Sequence, residues 1–180
     1  MLKTLRYRAF AGIVGFILLI PEVTLIVLRE LKKLSDGLLP IFYILIAVES
    51  ILYIYYLWGF KIVGDKTKNN MLKISMILLI ISSLLTKGYH YVWNPAFPHL
   101  TKLIISASIL VVMGIIGILA GMAILKLKNK FGSLATTVGV LNIISGISTA
   151  TVIFFFIALL ILIPQTIFEI VLLFRASEKL

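Results

Sequence analysis

The chain has 180 residues, 61% of them hydrophobic, and a mean hydropathy of +1.15, a composition that would leave large apolar patches on a soluble domain, so we expect the solvent to be lipid. Cysteine is absent, which excludes disulfides, thiolate metal sites and cysteine nucleophiles. The 17 Lys and Arg outnumber the 7 Asp and Glu but fall in short segments between apolar runs, which favours contact with anionic lipid and not with nucleic acid.

Apolar runs divide the chain into six predicted membrane-spanning helices. A bilayer core about 30 Å thick takes about 20 helical residues per crossing. Runs of this order predict an all-α, polytopic transmembrane helix bundle with short loops and a single membrane domain. The predicted spans are approximately 9–28, 38–60, 71–86, 103–125, 134–154 and 157–174.

The first two predicted spans each contain a carboxylate. A basic segment at residues 3–8 precedes the first span in the manner of a signal peptide, but no small-x-small cleavage motif follows, so we expect a retained anchor. Pro21 and Glu22 interrupt this span. Glu49 lies near the middle of the second span, which ends in an aromatic cluster typical of a membrane interface: Tyr53, Tyr55, Tyr56, Trp58 and Phe60.

The segment 134–174 has 41 residues without Lys, Arg or Asp. At about 1.5 Å per residue, one straight helix would be roughly twice the hydrocarbon thickness. We therefore predict two crossings, with the turn between Phe154 and Pro164. The alternative is one long helix followed by an amphipathic segment in the interface.

The distribution of cations predicts the orientation, because cytoplasmic segments are enriched in Lys and Arg. If the first segment did not cross the membrane, 8 of the 17 Lys and Arg would be cytoplasmic. If the last two spans were one long helix, 10 would be cytoplasmic. Six spans with an inner amino terminus place 12 inside, so we predict a protein of the cell membrane with both termini cytoplasmic. These 12 are Lys3, Arg6, Arg8, Lys61, Lys66, Lys68, Lys73, Lys126, Lys128, Lys130, Arg175 and Lys179.

Three carboxylates inside the predicted spans are the candidate intramembrane functional residues: Glu49, Glu22 and Glu169. A charge in hydrocarbon needs a partner, a proton or a wet cavity. Glu49 is either a proton or cation site or a hydrogen-bonded structural group. No basic residue is predicted at its depth, which favours a partner subunit. Glu22 and Glu169 are closer to the two membrane surfaces, and a structural role is expected for both.

Small and polar residues mark faces of the fourth and fifth predicted spans. Gly114, Gly117 and Gly121 form a predicted helix-packing face, because small residues let helix backbones approach closely. In the fifth span one mildly polar stripe recurs at helical spacing, as either a substrate path or polar contacts between helices. Its members are Ala135, Gly139, Asn142, Ser145 or Gly146, and Thr149.

The two histidines, His90 and His99, lie in the outer loop 87–99 among aromatic residues. Nine residues apart and without a nearby carboxylate, they do not predict a metal site, and we expect a packed cap or a docking surface. Motifs for phosphate binding, zinc hydrolysis and serine hydrolysis are also absent from the sequence. No catalytic residue, cofactor or metal is predicted, and an enzyme is not expected.

The segments at 128–134, KNKFGSL, and 169–177, EIVLLFRAS, resemble small uncharacterised multi-pass membrane proteins of archaea. The resemblance covers about a quarter of the chain. It implies a membrane topology, and it transfers no functional residue.

Two functions from different classes fit these features. The first is a non-catalytic accessory or structural subunit of a larger membrane complex, such as a respiratory one, with lipid and other integral membrane subunits as partners. Little loop mass, the unpartnered Glu49 and the glycine face favour it. The alternative is a small proton- or ion-coupled carrier or channel that acts as a homo-oligomer around Glu49 and the polar stripe.

Overall fold

A computed structural model describes residues 2–31, 33–89, 91, 98–152 and 154–180, apart from the side chains at positions 2, 30, 99 and 155. Over these residues the chain consists of helices and short connections. Six of the helices, all but the short α5, are long and apolar enough to cross a membrane, which confirms the predicted all-α bundle. The helices are α1 (Leu2–Glu30), α2 (Leu39–Thr67), α3 (Asn70–Gly88), α4 (His99–Leu125), α5 (Lys128–Phe131), α6 (Ser133–Ala150) and α7 (Phe155–Lys179).

The six long helices form a closed ring. Each packs against the long helices that precede and follow it in the chain, with α5 within the short connection between α4 and α6. The ring closes because α7 packs against α1. The fold therefore surrounds an interior space with all six helices.

Both termini lie at one end of the ring. Arg6 near the start of α1 is 3.9 Å from Glu178 near the end of α7. Beside them, Lys179 Nζ donates to the carbonyl oxygen of Lys130 at 3.1 Å. We call this the terminal end, and we call the opposite end, with the α1–α2, α3–α4 and α6–α7 connections, the distal end.

The segment 134–174 forms parts of two helices, but the predicted position of the turn was wrong. The helix α6 ends at Ala150 and α7 begins at Phe155, so the connection at 151–154 reaches only the first residue of the predicted interval. Val152 has a φ of 56°, a left-handed conformation that stops a helix and that β-branched residues rarely adopt. The sequence reasoning relied on Pro164, which lies inside α7. Prolines are tolerated in membrane helices because neighbouring groups satisfy the freed backbone.

The contact between α4 and α6 is a close approach of two backbones. A Cβ atom on Gly114 would lie 2.5 Å from the carbonyl oxygen of Gly146, and one on Gly121 would lie 2.6 Å from that of Gly139. Gly117 faces the same helix with slightly more room, 3.4 Å from the Cα of Gly146. All three glycines of the predicted packing face thus lie against α6, which has glycines of its own at the contact.

We predict that Gly114→Ala lowers the free energy of unfolding by roughly 1–3 kcal/mol, because the added methyl group meets fixed backbone atoms of α6. Gly15→Ala is the matched control, since its Cβ would lie 3.7 Å from Leu52, an ordinary contact. Unfolding in mixed detergent micelles with increasing sodium dodecyl sulfate measures both variants. Equal stability of the two would contradict the close α4–α6 contact.

Candidate functional site

A cavity of about 250 Å³ lies inside the ring, and all six long helices contribute to its wall. Most of the wall is apolar, but α2, α6 and α7 each contribute polar side chains. These include Glu49, Tyr53, Asn142, Ser145, Gln165 and Glu169. The cavity therefore brings together two of the three candidate carboxylates and the polar stripe of α6.

At the distal side of the cavity, three charged side chains from three helices meet. The Lys87 ammonium on α3 forms a salt bridge with Glu49 on α2, and its Nζ lies 3.5 Å from Glu22 Oε1 on α1. Both carboxylates are buried. We call this the distal charge cluster. It contains two carboxylates and one ammonium, so it has one excess negative charge when all three groups are ionised.

The prediction that no cation of this chain reaches Glu49 was wrong. Glu49 lies about 15 Å from the start of α2 at 1.5 Å per residue, whereas Lys87 was assigned to the outer loop. The helix α3 continues to Gly88, and the flexible four-carbon stem of Lys87 carries its ammonium inward to Glu49. Glu49 is therefore not an argument for a partner subunit.

An aromatic layer lies nearer the distal end than the charge cluster. The Arg29 guanidinium is stacked 5.4 Å from the ring of Phe42 and 6.0 Å from that of Tyr91, and the two rings meet edge to face. Burial raises the pKa of Tyr91 to about 12. Phe42 precedes Glu49 by about two helical turns. This layer separates the cluster from the distal connections.

The outer loop with the two histidines falls largely outside the described residues. Residue 90 and residues 92–97 lie there, as does the side chain of His99. The interpretation of this loop as a packed cap or docking surface stays a prediction.

Glu169 is held by three hydrogen-bond donors from three helices. The Tyr56 hydroxyl on α2 donates to Oε2 at 2.8 Å, while Asn142 Nδ2 on α6 and Gln165 Nε2 on α7 donate to Oε1 at 2.6 and 3.0 Å. The two carboxylate oxygens thus both accept hydrogen bonds, which fix the orientation of the side chain. Among the described residues, no cation lies within salt-bridge distance of Glu169. The donors orient the carboxyl group and supply no counter-charge.

A second acceptor beside Glu169 has no hydrogen-bond donor within the described ranges. Because Gln165 Nε2 donates to Glu169, the amide is oriented, and Gln165 Oε1 is buried without a hydrogen-bond partner in the described part of the chain. A buried carbonyl oxygen normally accepts at least one hydrogen bond or contacts a cation. Gln165 also lines the cavity, so this acceptor belongs to a side chain of the cavity wall.

One face of α2 connects the two carboxylate sites. Glu49, Tyr53 and Tyr56 follow at intervals of four and three residues, which places them on the same side of a helix. All three line the cavity, and Tyr56 contacts Glu169. Glu49 and Tyr56 are about 10 Å apart along the helix axis. Two phenol hydroxyls thus lie between the distal charge cluster and Glu169.

The aromatic cluster at 53–60 is an interfacial belt only in part. Tyr55 and Trp58 are 38% and 42% exposed on the outer surface of the ring. Tyr56 and Phe60 are buried, and together with Tyr53 they line the cavity. The helical period divides these neighbours in sequence between two faces, so the prediction holds for two of the five.

Comparisons with family models, with curated proteins and with solved structures give no match for this chain. The resemblance to multi-pass membrane proteins of archaea stays a prediction.

We predict that Lys87→Met destabilises the protein by roughly 3–5 kcal/mol, because it leaves two buried carboxylates without a counter-charge. Adding Glu49→Gln to this variant should restore part of the lost stability, because it removes one of the two buried carboxylates. Lys33→Met, which removes an exposed cation of the distal end, is the control. Denaturation in mixed micelles measures all three. A Lys87→Met protein as stable as the Lys33→Met protein would contradict the charge cluster.

Proposed function

We propose that this protein is a small carrier or channel of the cell membrane that moves protons or small cations through the ring. The observation that carries the proposal is Glu169. Its carboxylate lies on the cavity wall, held by three donors, and no basic side chain of the described residues pairs with it. Such a group is arranged to receive a positive charge from outside the chain.

The charge balance of the spans supports the same function. Glu22, Glu49 and Glu169, when ionised, have one ammonium between them, that of Lys87. Two negative charges then remain, and a charge at the centre of a bilayer costs roughly 2.5–3.5 kcal/mol. A proton or a bound cation lowers this cost at each site.

The chemistry of the cavity wall favours protons and hard cations. Its polar atoms are carboxylate, amide, phenol and hydroxyl groups, as in Glu169, Gln165, Tyr53 and Ser145. Oxygen ligands of this kind suit alkali and alkaline-earth ions, and the chain has no cysteine as a soft ligand. About 250 Å³ holds an ion with a few water molecules but is below the usual size of a pocket for a drug-sized ligand.

The proposed path lies inside one chain, so conduction does not require an interface between copies. The terminal end has 12 of the 17 Lys and Arg, which supports a cytoplasmic location for this end and for both termini.

An accessory or structural subunit of a larger membrane complex, such as a respiratory one, is the second candidate. Its short connections and its glycine contacts are compatible with that role. The pairing of Glu49 with Lys87 removes one of the arguments for it, because that glutamate has a counter-charge within its own chain.

We predict that purified protein in liposomes dissipates an imposed pH, Na⁺ or K⁺ gradient faster than empty liposomes do. Glu169→Gln should reduce this flux by about a hundredfold, because it removes the group that binds the cation or transfers the proton. Glu178→Gln, which neutralises an exposed carboxylate on the same helix, should leave the flux unchanged. Wild-type liposomes as tight as empty ones, or equal flux in Glu169→Gln, would sink the proposal.

Purification from the native membrane in mild detergent separates the two functions. For a carrier or channel we expect the tagged protein alone or with copies of itself. Mass spectrometry that instead finds a constant stoichiometry with other integral membrane proteins would favour the accessory subunit.

A further inference from the structure

Arg8 is a buried cation without an anionic partner among the described residues. Its side chain on α1 is 9% exposed, and both Nε and Nη1 are buried without a hydrogen-bond partner in the described part of the chain. The guanidinium carbon lies 4.8 Å from the centre of the Tyr55 ring on α2. By contrast, Lys61 near the same end of the ring forms a salt bridge, with its Nζ 2.7 Å from Asp65 Oδ2. The N–H groups at Arg8 Nε and Nη1 therefore have no acceptor among the described residues.

The surroundings of Arg8 mark the level of lipid headgroups. Its Cβ is 3.3 Å from where a Cβ of Gly59 would lie, which places it level with the last turns of α2 before the turn to α3. Tyr55 and Trp58 are exposed there, and Lys61 Nζ lies 5.2 Å from the Trp58 ring. Exposed Tyr and Trp beside Lys and Arg are typical of the interface between hydrocarbon and headgroups.

We infer that Arg8 binds the phosphate of an anionic phospholipid in the leaflet at the terminal end. A guanidinium presents several N–H groups in a plane that matches phosphate oxygens. Anionic lipid collects at this end, because most cations of the chain lie there. This inference is independent of the proposed conduction.

Tyr55 is the movable cover of the site. Its ring stacks on the guanidinium and is 38% exposed to the bilayer side of the ring of helices. Exposed side chains change rotamer within nanoseconds. Rotation of the Tyr55 ring away from the guanidinium would open this side of Arg8 to a phosphate oxygen, which would then accept hydrogen bonds from Nε and Nη1.

The test uses full-length, delipidated protein in a neutral detergent, titrated with brominated phosphatidylglycerol or brominated phosphatidylcholine. Bromine quenches nearby tryptophan, and a Trp93→Phe background leaves Trp58, one helical turn from Tyr55, as the sole reporter. We expect phosphatidylglycerol to quench at about tenfold lower concentration than phosphatidylcholine.

Arg8→Met should abolish this preference. Arg6→Met is the matched control: it removes the same positive charge, but from a side chain that is 59% exposed, and it should keep the preference. Without lipid, Arg8→Met should melt no earlier than the wild type, since it removes a buried charge that lacks a partner. Phosphatidylglycerol should then raise the melting temperature of the wild type and not that of Arg8→Met.

Three results would overturn the inference. The first is equal quenching by the two lipids in the wild type, a readout that does not depend on the folding of any variant. The second is an equal loss of preference in Arg6→Met and Arg8→Met, which indicates general attraction to a basic surface. The third is an equal rise in melting temperature with inorganic phosphate at the same concentration, which assigns the site to free anions.

Discussion

A charge inside a bilayer meets no water, so it must be satisfied by another group of the protein or by a species that enters from outside. In this chain the ammonium of Lys87 satisfies Glu22 and Glu49 together and joins α1, α2 and α3 at the distal end. Apolar contact gives a helix little preference for another helix over lipid. A directional cluster of charges therefore decides which helices meet at this end, and it also fixes Glu49 at the edge of the cavity.

The opposite side of the ring uses close packing in place of charge. Gly139 and Gly146 of α6, seven residues apart, lie on the face that touches α4. Asn142, Ser145 and Thr149 line the cavity, and Asn142 reaches Glu169 on α7. One helix thus combines a smooth face for backbone contact with a polar face for the interior. The polar stripe of α6 thus includes residues in contact with α4 and residues on the cavity wall, and its role as a substrate path stays a prediction.

Periodicity and length were enough to predict the helical class, six helices long and apolar enough to cross a membrane, and the glycine face, because each depends on neighbours within a few turns. The surroundings of Glu169 were beyond such reasoning, because Tyr56 is 113 residues away in sequence and Asn142 is 27 away. The pairing of Lys87 was missed because a sequence does not show in which direction a long side chain points at a helix end. The turn at Val152 was missed because the sequence around it has no glycine, asparagine or proline to indicate a positive φ, and a β-branched residue rarely adopts one.

Glu169 and Arg8, which have no ion-pair partner in the part of the chain that the structure describes, do not meet in this fold, and α2 shows why. Tyr56 is buried and donates to Glu169, whereas the next residue towards the distal end, Tyr55, is exposed and stacks on Arg8. Successive helical residues differ by about 100° in direction, so one tyrosine faces the cavity and the other the lipid. Glu169 thus lies at the interior cavity, where the proposed cation would bind, and Arg8 lies beside the exposed Tyr55, where the proposed headgroup phosphate would bind. Mutual pairing would have neutralised both charges and left neither available for a ligand.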